Sequence, residues 1–159
     1  MSYLTDNLLP NEKLMHETRL HGIVFVKPLV VLLLGLAIMA ASRPYDDWLV
    51  WPGLVLAATG LGFLIPALFQ WQTTELGVTD QRVMAKTGLI QRRSLEMVLH
   101  GVESIGVDQD ILGRIVNYGT VIISGTGGTQ ERFTRIADPL DFRRAVNEQI
   151  GHEGRNDAR

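Results

Sequence analysis

WLVWPGLVLAATGLGFLIPALF, residues 48–69, carries no charged side chain, and Gln70 and Trp71 close it. At 1.5 Å per residue, a helix of about 22 residues reaches roughly 33 Å, enough to cross a hydrocarbon layer of about 30 Å. Trp48, Trp51 and Trp71 mark its two ends, where amphipathic rings favour the headgroup level. A helix in a soluble core ordinarily keeps a polar stripe, and this stretch has none. It reads as a transmembrane helix.

A first apolar run, residues 23–42, stands ahead of it. Lys27-Pro28 interrupts this run early, because proline fits the first turn of a helix and pushes the preceding residue toward extended geometry. The remainder is short for a span, so a tilted or re-entrant element is an alternative to full crossing. A second span close by favours a paired hairpin, since every backbone polar group must be satisfied inside lipid. A secretory signal opens on a basic segment, whereas the first ionised side chain here is Asp6. The run is therefore expected to be retained, although Ala40-Ala41-Ser42 resembles a cleavage site.

Arg43-Pro-Tyr-Asp-Asp47 forms the expected turn between the helices. Lys13, Arg19 and Lys27 precede the first helix, and Arg82, Lys86, Arg92 and Arg93 follow the second. The positive-inside bias then puts both termini in the cytoplasm and the short loop outside. Small residues at four-residue spacing, Ala37/Ala41, Gly53/Ala57 and Ala58/Gly62, would allow close helix approach.

The 159 residues leave room for this hairpin and one small domain. Hydrophobic residues make up 46%, and the mean hydropathy of +0.12 averages two unlike halves. A net charge of −2 argues against bulk attraction to nucleic acid. Zero cysteines exclude disulfides, thiolate metal sites and cysteine nucleophiles.

From Gln72 onward the pattern changes. Residues 73–79, 82–86 and 89–98 are short β-rich runs separated by Thr79-Asp80 and Thr87-Gly88. Residues 103–107 alternate, residues 120–124 are nearly continuous β-branched sequence, and 125–128 turn into a run over 130–136. This spacing predicts six or seven short strands in consecutive antiparallel hairpins. A closing helix follows, with Asp138 as N-cap, Pro139 at the first helical position and Phe142, Ala145, Val146 and Ile150 on one face. Gly151 is expected to stop it, leaving residues 152–159 with nothing to bury.

Few residues suggest chemistry. Gly125-Thr-Gly-Gly-Thr129 lacks the lysine and following helix of a phosphate loop and reads as a hairpin turn. His16, His21, His100 and His152 show no metal-ligand spacing, and His16 and His21 read as surface residues. No nucleophile motif or distinct carboxylate pair appears, so neither an enzyme nor a cofactor is expected. Arg82, Lys86, Arg92 and Arg93 are the candidate cluster for anionic headgroups or a partner. The plainer alternative makes them solvated strand residues with a topology role. Arg114, set among Ile111, Leu112, Ile115 and Val116, is expected to pair within the fold.

Thr79-Asp80-Gln-Arg82-Val83, Gly88-Leu-Ile-Gln-Arg-Arg93-Ser94, Ile111-Leu-Gly-Arg114, Asn117-Tyr-Gly-Thr120 and Asp138-Pro139 carry a resemblance. The sequence resembles the second family of bacterial pleckstrin-homology-like (PH-like) domains, in which two transmembrane helices precede the domain. The resemblance implies a bent antiparallel barrel of about seven strands capped by a C-terminal α-helix. Gly113, Arg114, Tyr118, Gly119, Asp138 and Pro139 would be family-motif structural positions.

The expected organisation is a juxtamembrane segment (1–22), a transmembrane hairpin (23–71, helices 23–42 and 48–70), a cytoplasmic PH-like domain (72–151) and a tail (152–159). The expected function is a non-enzymatic binding or scaffolding module at the bacterial inner membrane, acting on a protein partner or by self-assembly. An accessory subunit of a larger membrane complex and an anionic-lipid sensor are the alternatives. Membrane lipids are the other expected partner.

Overall fold

The computed structural model describes residues 3–42, 48, 50–88 and 93–156. The expected turn 43–47, residues 89–91 of an expected strand, Arg92 of the basic cluster and residues 157–159 of the expected tail lie outside them. In chain order, α1 (Tyr3–Asp6) and β1 (Leu14–Arg19) precede a 3-10 turn, Gly22–Phe25, and two long helices, α2 (Val26–Ser42) and α3 (Val50–Thr73). Then come β2 (Glu75–Thr79), β3 (Arg82–Thr87), β4 (Arg93–Val98), β5 (Val102–Asp108), α4 (Ile111–Val116), β6 (Tyr118–Gly125), β7 (Gln130–Ala137) and α5 (Pro139–Asn156). The chain divides into two units: Gly22–Gln72, and Met1–His21 together with Thr73–Arg159.

In the helical unit, Pro28 sits in the first turn of α2, where its missing N–H costs no hydrogen bond, and the preceding 3-10 turn extends the apolar segment to Gly22–Ser42. Both segments are long and apolar enough to cross a membrane, and their most apolar windows are only 17% and 22% buried. Close packing rests on Gly35 and Gly60. A Cβ on Gly35 would lie 2.4 Å from the Ala57 backbone nitrogen, and one on Gly60 would lie 2.5 Å from that of Leu32. Gly53 and Ala57 are buried as the sequence suggested, whereas Ala37, Ala41, Ala58 and Gly62 are exposed. Phe25 and Trp71 meet edge to face at 5.9 Å, so the start of the first segment lies beside the end of the second.

In the sheet unit all strand pairs are antiparallel, in the orders β1-β2-β3-β4 and β5-β6-β7. The expected single barrel is replaced by these two sheets. After β4 the chain turns through a 3-10 segment, Leu99–Gly101, that buries Leu99 and separates β4 from β5. At the other side the sheets are stitched together just past β1, by a Leu20–Ile136 bridge and a His21 N–H donating to Arg135 C=O at 2.7 Å. Leu76, Val78, Val83, Val121, Ile123, Ile136, Phe142 and Val146 are fully buried, so α5 supplies part of the core.

Two boundaries differ from expectation. Residues 1–22 are not a separate segment: β1 pairs along all of β2, and Leu4 of α1 lies over Gly77 of the same sheet. The closing helix runs through Gly151 to Asn156, because a helical glycine weakens a helix without ending it.

Candidate functional site

Register separates the expected basic cluster. Arg82 opens β3 and Lys86 lies four residues on, roughly 14 Å along a strand. Lys86 pairs with Glu75, beside the point where the chain leaves the helical unit, and with Ser94. Thr87 pairs with Arg93, so the backbone of Arg93 occupies the same end. This junction end includes Arg19, which pairs with Glu75, and His21.

Arg82 belongs to the opposite end and is held inside the fold, which removes it as a headgroup contact. Its Nε donates to Glu12 Oε1 at 2.9 Å, and Nη2 donates to Glu12 Oε2 at 2.9 Å and to the Asn7 carbonyl at 2.8 Å. Nη1 reaches Glu96 Oε2 at 2.6 Å. Glu12 also accepts from the Leu9 N–H and the Thr79 hydroxyl, both at 2.7 Å. Four donors thus meet a carboxylate whose side chain is 0% exposed. Burial alone would raise its pKa. The hydrogen bonds and charge of Arg82, with Leu9 and Thr79, outweigh that and lower it from 4.5 to about 2. The network ties the N-terminal segment to the β2–β3 turn, and a Lys13 N–H to Asp80 Oδ1 bond at 3.0 Å reinforces it.

The motif residues assemble at the junction end. Asp110 caps α4, its Oδ1 accepting from the Gly113 N–H at 2.6 Å. Asn117 ends the helix in the left-handed region, with φ 63°, and its N–H donates to the Gly113 carbonyl. A Cβ on Gly113 would lie 2.5 Å from the Tyr118 carbonyl oxygen, and one on Gly119 would lie 2.7 Å from Gln109 and 2.9 Å from the Asp108 carbonyl oxygen. Gln109 Nε2 donates to the Tyr118 carbonyl at 2.9 Å. Burial, the nearby Asp110 charge and a 3.4 Å hydrogen bond to that carboxylate push the Tyr118 pKa upward.

Pro139 opens α5 as expected, and it is buried. Asp138 departs from its expected capping geometry. It sits at φ 46°, its carboxylate accepts from the Asn117 side-chain amide, and its carbonyl takes the Phe142 N–H at 3.1 Å. Arg114 also departs from expectation: it is exposed and makes no ion pair among the described residues.

The α4 face went unread in the sequence. Ile111, Leu112, Ile115 and Val116 are 79%, 61%, 75% and 43% exposed, while Gly113 is buried beneath them. Their i, i+1, i+4, i+5 spacing, one side of a helix, was the available signal. His16 is a second correction. It stands in β1 with its ring 6.3 Å from that of core Phe142, and its Nε2 is buried, so it is no surface residue. The expected hairpin turn at 125–129 is present, closed by a Gly125 N–H to Thr129 C=O bond at 2.9 Å.

Two antiparallel sheets packed on a C-terminal helix, in a chain that also carries a pair of long apolar helices, define a PH-like module with a helical hairpin. The chain matches the model of the bacterial PH domain family over residues 22–150, and it belongs to that family. No curated protein matches it. The match begins after β1, so this strand lies outside the matched residues.

Proposed function

We propose that α2 and α3 cross the bacterial inner membrane and hold the PH domain at its cytoplasmic face. There it works as a non-enzymatic module that recruits a protein partner or a second copy of itself. The observation that carries this reading is the exposed apolar surface of the two helices. Leu29, Val30, Leu33, Leu34, Val55 and Phe63 are 45–64% exposed, a surface that soluble proteins rarely leave uncovered. The basic residues flanking the helices support cytoplasmic termini. Tethering raises the effective concentration of a weak binder without new contacts. The test is purification of the full chain from membranes in mild detergent. Carbonate-resistant membrane association with a stoichiometric partner, or an assembly of several copies, is expected. A chain soluble without detergent, or a bare monomer, refutes the reading; a partner bound only through α2 and α3 would make it an accessory subunit instead.

A lipid-sensing reading is favoured by one observation: Lys86 and the backbone of Arg93 share the end of the sheet where the chain joins the helical unit. Its test uses the full chain, because a fragment starting at residue 72 lacks β1. Replacing Arg92 and Arg93 by glutamine should weaken the preference for anionic over zwitterionic vesicles, and an unchanged preference removes this reading.

A further inference from the structure

We infer that α4 is a lipid-inserting knob: Ile111, Leu112, Ile115 and Val116 enter the surface of the membrane that the chain's own helices cross. The inference rests on the membrane reading above and goes beyond it, because it places a part of the sheet unit in lipid. At 100° per residue the four side chains fall within an arc of about 140°. Gly113 faces the opposite way, against the Tyr118 carbonyl, and among the described residues nothing covers the apolar arc. Arg114 flanks the arc, exposed and without an ion pair among the described residues. A long cationic side chain there can lay its stem on the apolar surface and its head among phosphates.

Position selects lipid over a protein groove as the occupant. His21 is the last residue before the helical unit, and its ring lies 5.6 Å from that of Tyr118, two residues beyond α4. Gly119 and Leu20 both pair with Ile136, so the start of β6 adjoins the strand from which the chain departs. Joined to a crossing helix through His21, this segment can reach the bilayer surface. Interfacial helices bury their apolar side about 5–10 Å into the headgroup and acyl boundary. Asp110, which caps α4, and Asp138, bonded to Asn117 at its end, stand against the exposed Arg114. With both signs present, the contact is apolar and does not depend on anionic lipid.

The chain has no cysteine, so single cysteines report one site each. Leu112→Cys, Ile115→Cys, Gly127→Cys in the turn at the far end of β6, and Phe63→Cys in α3 are labelled with an environment-sensitive fluorophore. Each variant is reconstituted into phosphatidylcholine vesicles, with and without lipid brominated near the top of the acyl chain or, for the mid-helix label at Phe63→Cys, near its end. The labels at Leu112→Cys and Ile115→Cys should lose roughly half their emission to the bromines, as expected for that depth. The label at Gly127→Cys should lose almost none, and that at Phe63→Cys should be quenched as well. If Phe63→Cys is quenched and the α4 labels behave like Gly127→Cys, the inference fails and the membrane reading stands. If Phe63→Cys is not quenched, the membrane reading itself fails. α4 labels shielded from an aqueous quencher yet untouched by bromine would mean a protein occupant, and would also overturn the inference.

Discussion

Replacing Glu12 by glutamine tests whether the N-terminal segment is held by charge. The carboxylate accepts four hydrogen bonds, two of them from Arg82, at a site where its side chain is fully shielded. Glutamine keeps the shape but offers one acceptor oxygen, and its amide would meet the Arg82 guanidinium donor to donor. The drop in pKa from 4.5 to about 2 corresponds to about 3 kcal/mol favouring the ionised form, at roughly 1.4 kcal/mol per pH unit. That agrees with the ~3–5 kcal/mol typical for removing one partner of a buried ion pair. Because the folded-state pKa is the lower one, this stabilisation is complete above about pH 4.5 and disappears as pH falls toward 2. All three tryptophans lie outside the sheet unit, at positions 48, 51 and 71, so their fluorescence does not report on it. Pulse proteolysis of the full chain in detergent across a urea series does, with cleavage mapped to β1–β3. Glu12→Gln should lose about 3 kcal/mol at pH 7 and show a shallower decline than wild type between pH 4.5 and 2. A loss under about 1 kcal/mol, or identical acid profiles, would refute the reasoning.

Other substitutions probe separate contacts. Gly113→Ala forces a Cβ to within 2.5 Å of a backbone oxygen, and should cost about 2 kcal/mol or more in the same proteolysis assay, against a near-neutral Gly127→Ala. Gly60→Ala should separate α2 from α3, since its Cβ would press on the Leu32 backbone. In a chain also carrying Trp48→Phe and Trp51→Phe, the expected readout is a lower melting temperature for the Trp71 emission, and an unchanged one would contradict close helix contact. Thr18→Val removes the hydroxyl that donates to the Ala137 carbonyl at 2.6 Å; a loss of about 1 kcal/mol is expected, with faster exchange of the amides around residues 135–137.

The two apolar helices were legible because length and uncharged composition are local properties. The β2–β3 and β6–β7 hairpins were legible because a turn and its strands are adjacent in sequence, whereas helix α4, which joins β5 to β6, was not read. β1 was not, for two reasons. Its partner β2 lies beyond the whole helical unit, and its inward residues include His16 and Thr18, so the strand shows no apolar alternation. Arg82 looked like a surface cation because its partner Glu12 is equally remote. Arg114 was misjudged in the opposite direction: apolar neighbours suggested burial, but a six-residue helix with Gly113 inward turns those neighbours outward. The close-packing glycines were half legible, since Gly53 and Ala57 follow four-residue spacing while Gly35 and Gly60 show their role only against the facing helix.

Sidedness is the most direct measurement of the membrane arrangement. Tyr45→Cys, between the two helices, and Gly127→Cys, in the PH domain, are each expressed in an otherwise cysteine-free chain and exposed to a membrane-impermeant maleimide. In intact cells the reagent should modify Tyr45→Cys and spare Gly127→Cys, which should react only after the membrane is permeabilised. Modification of Gly127→Cys in intact cells, or protection of both positions until permeabilisation, would contradict a two-pass hairpin that holds the domain inside.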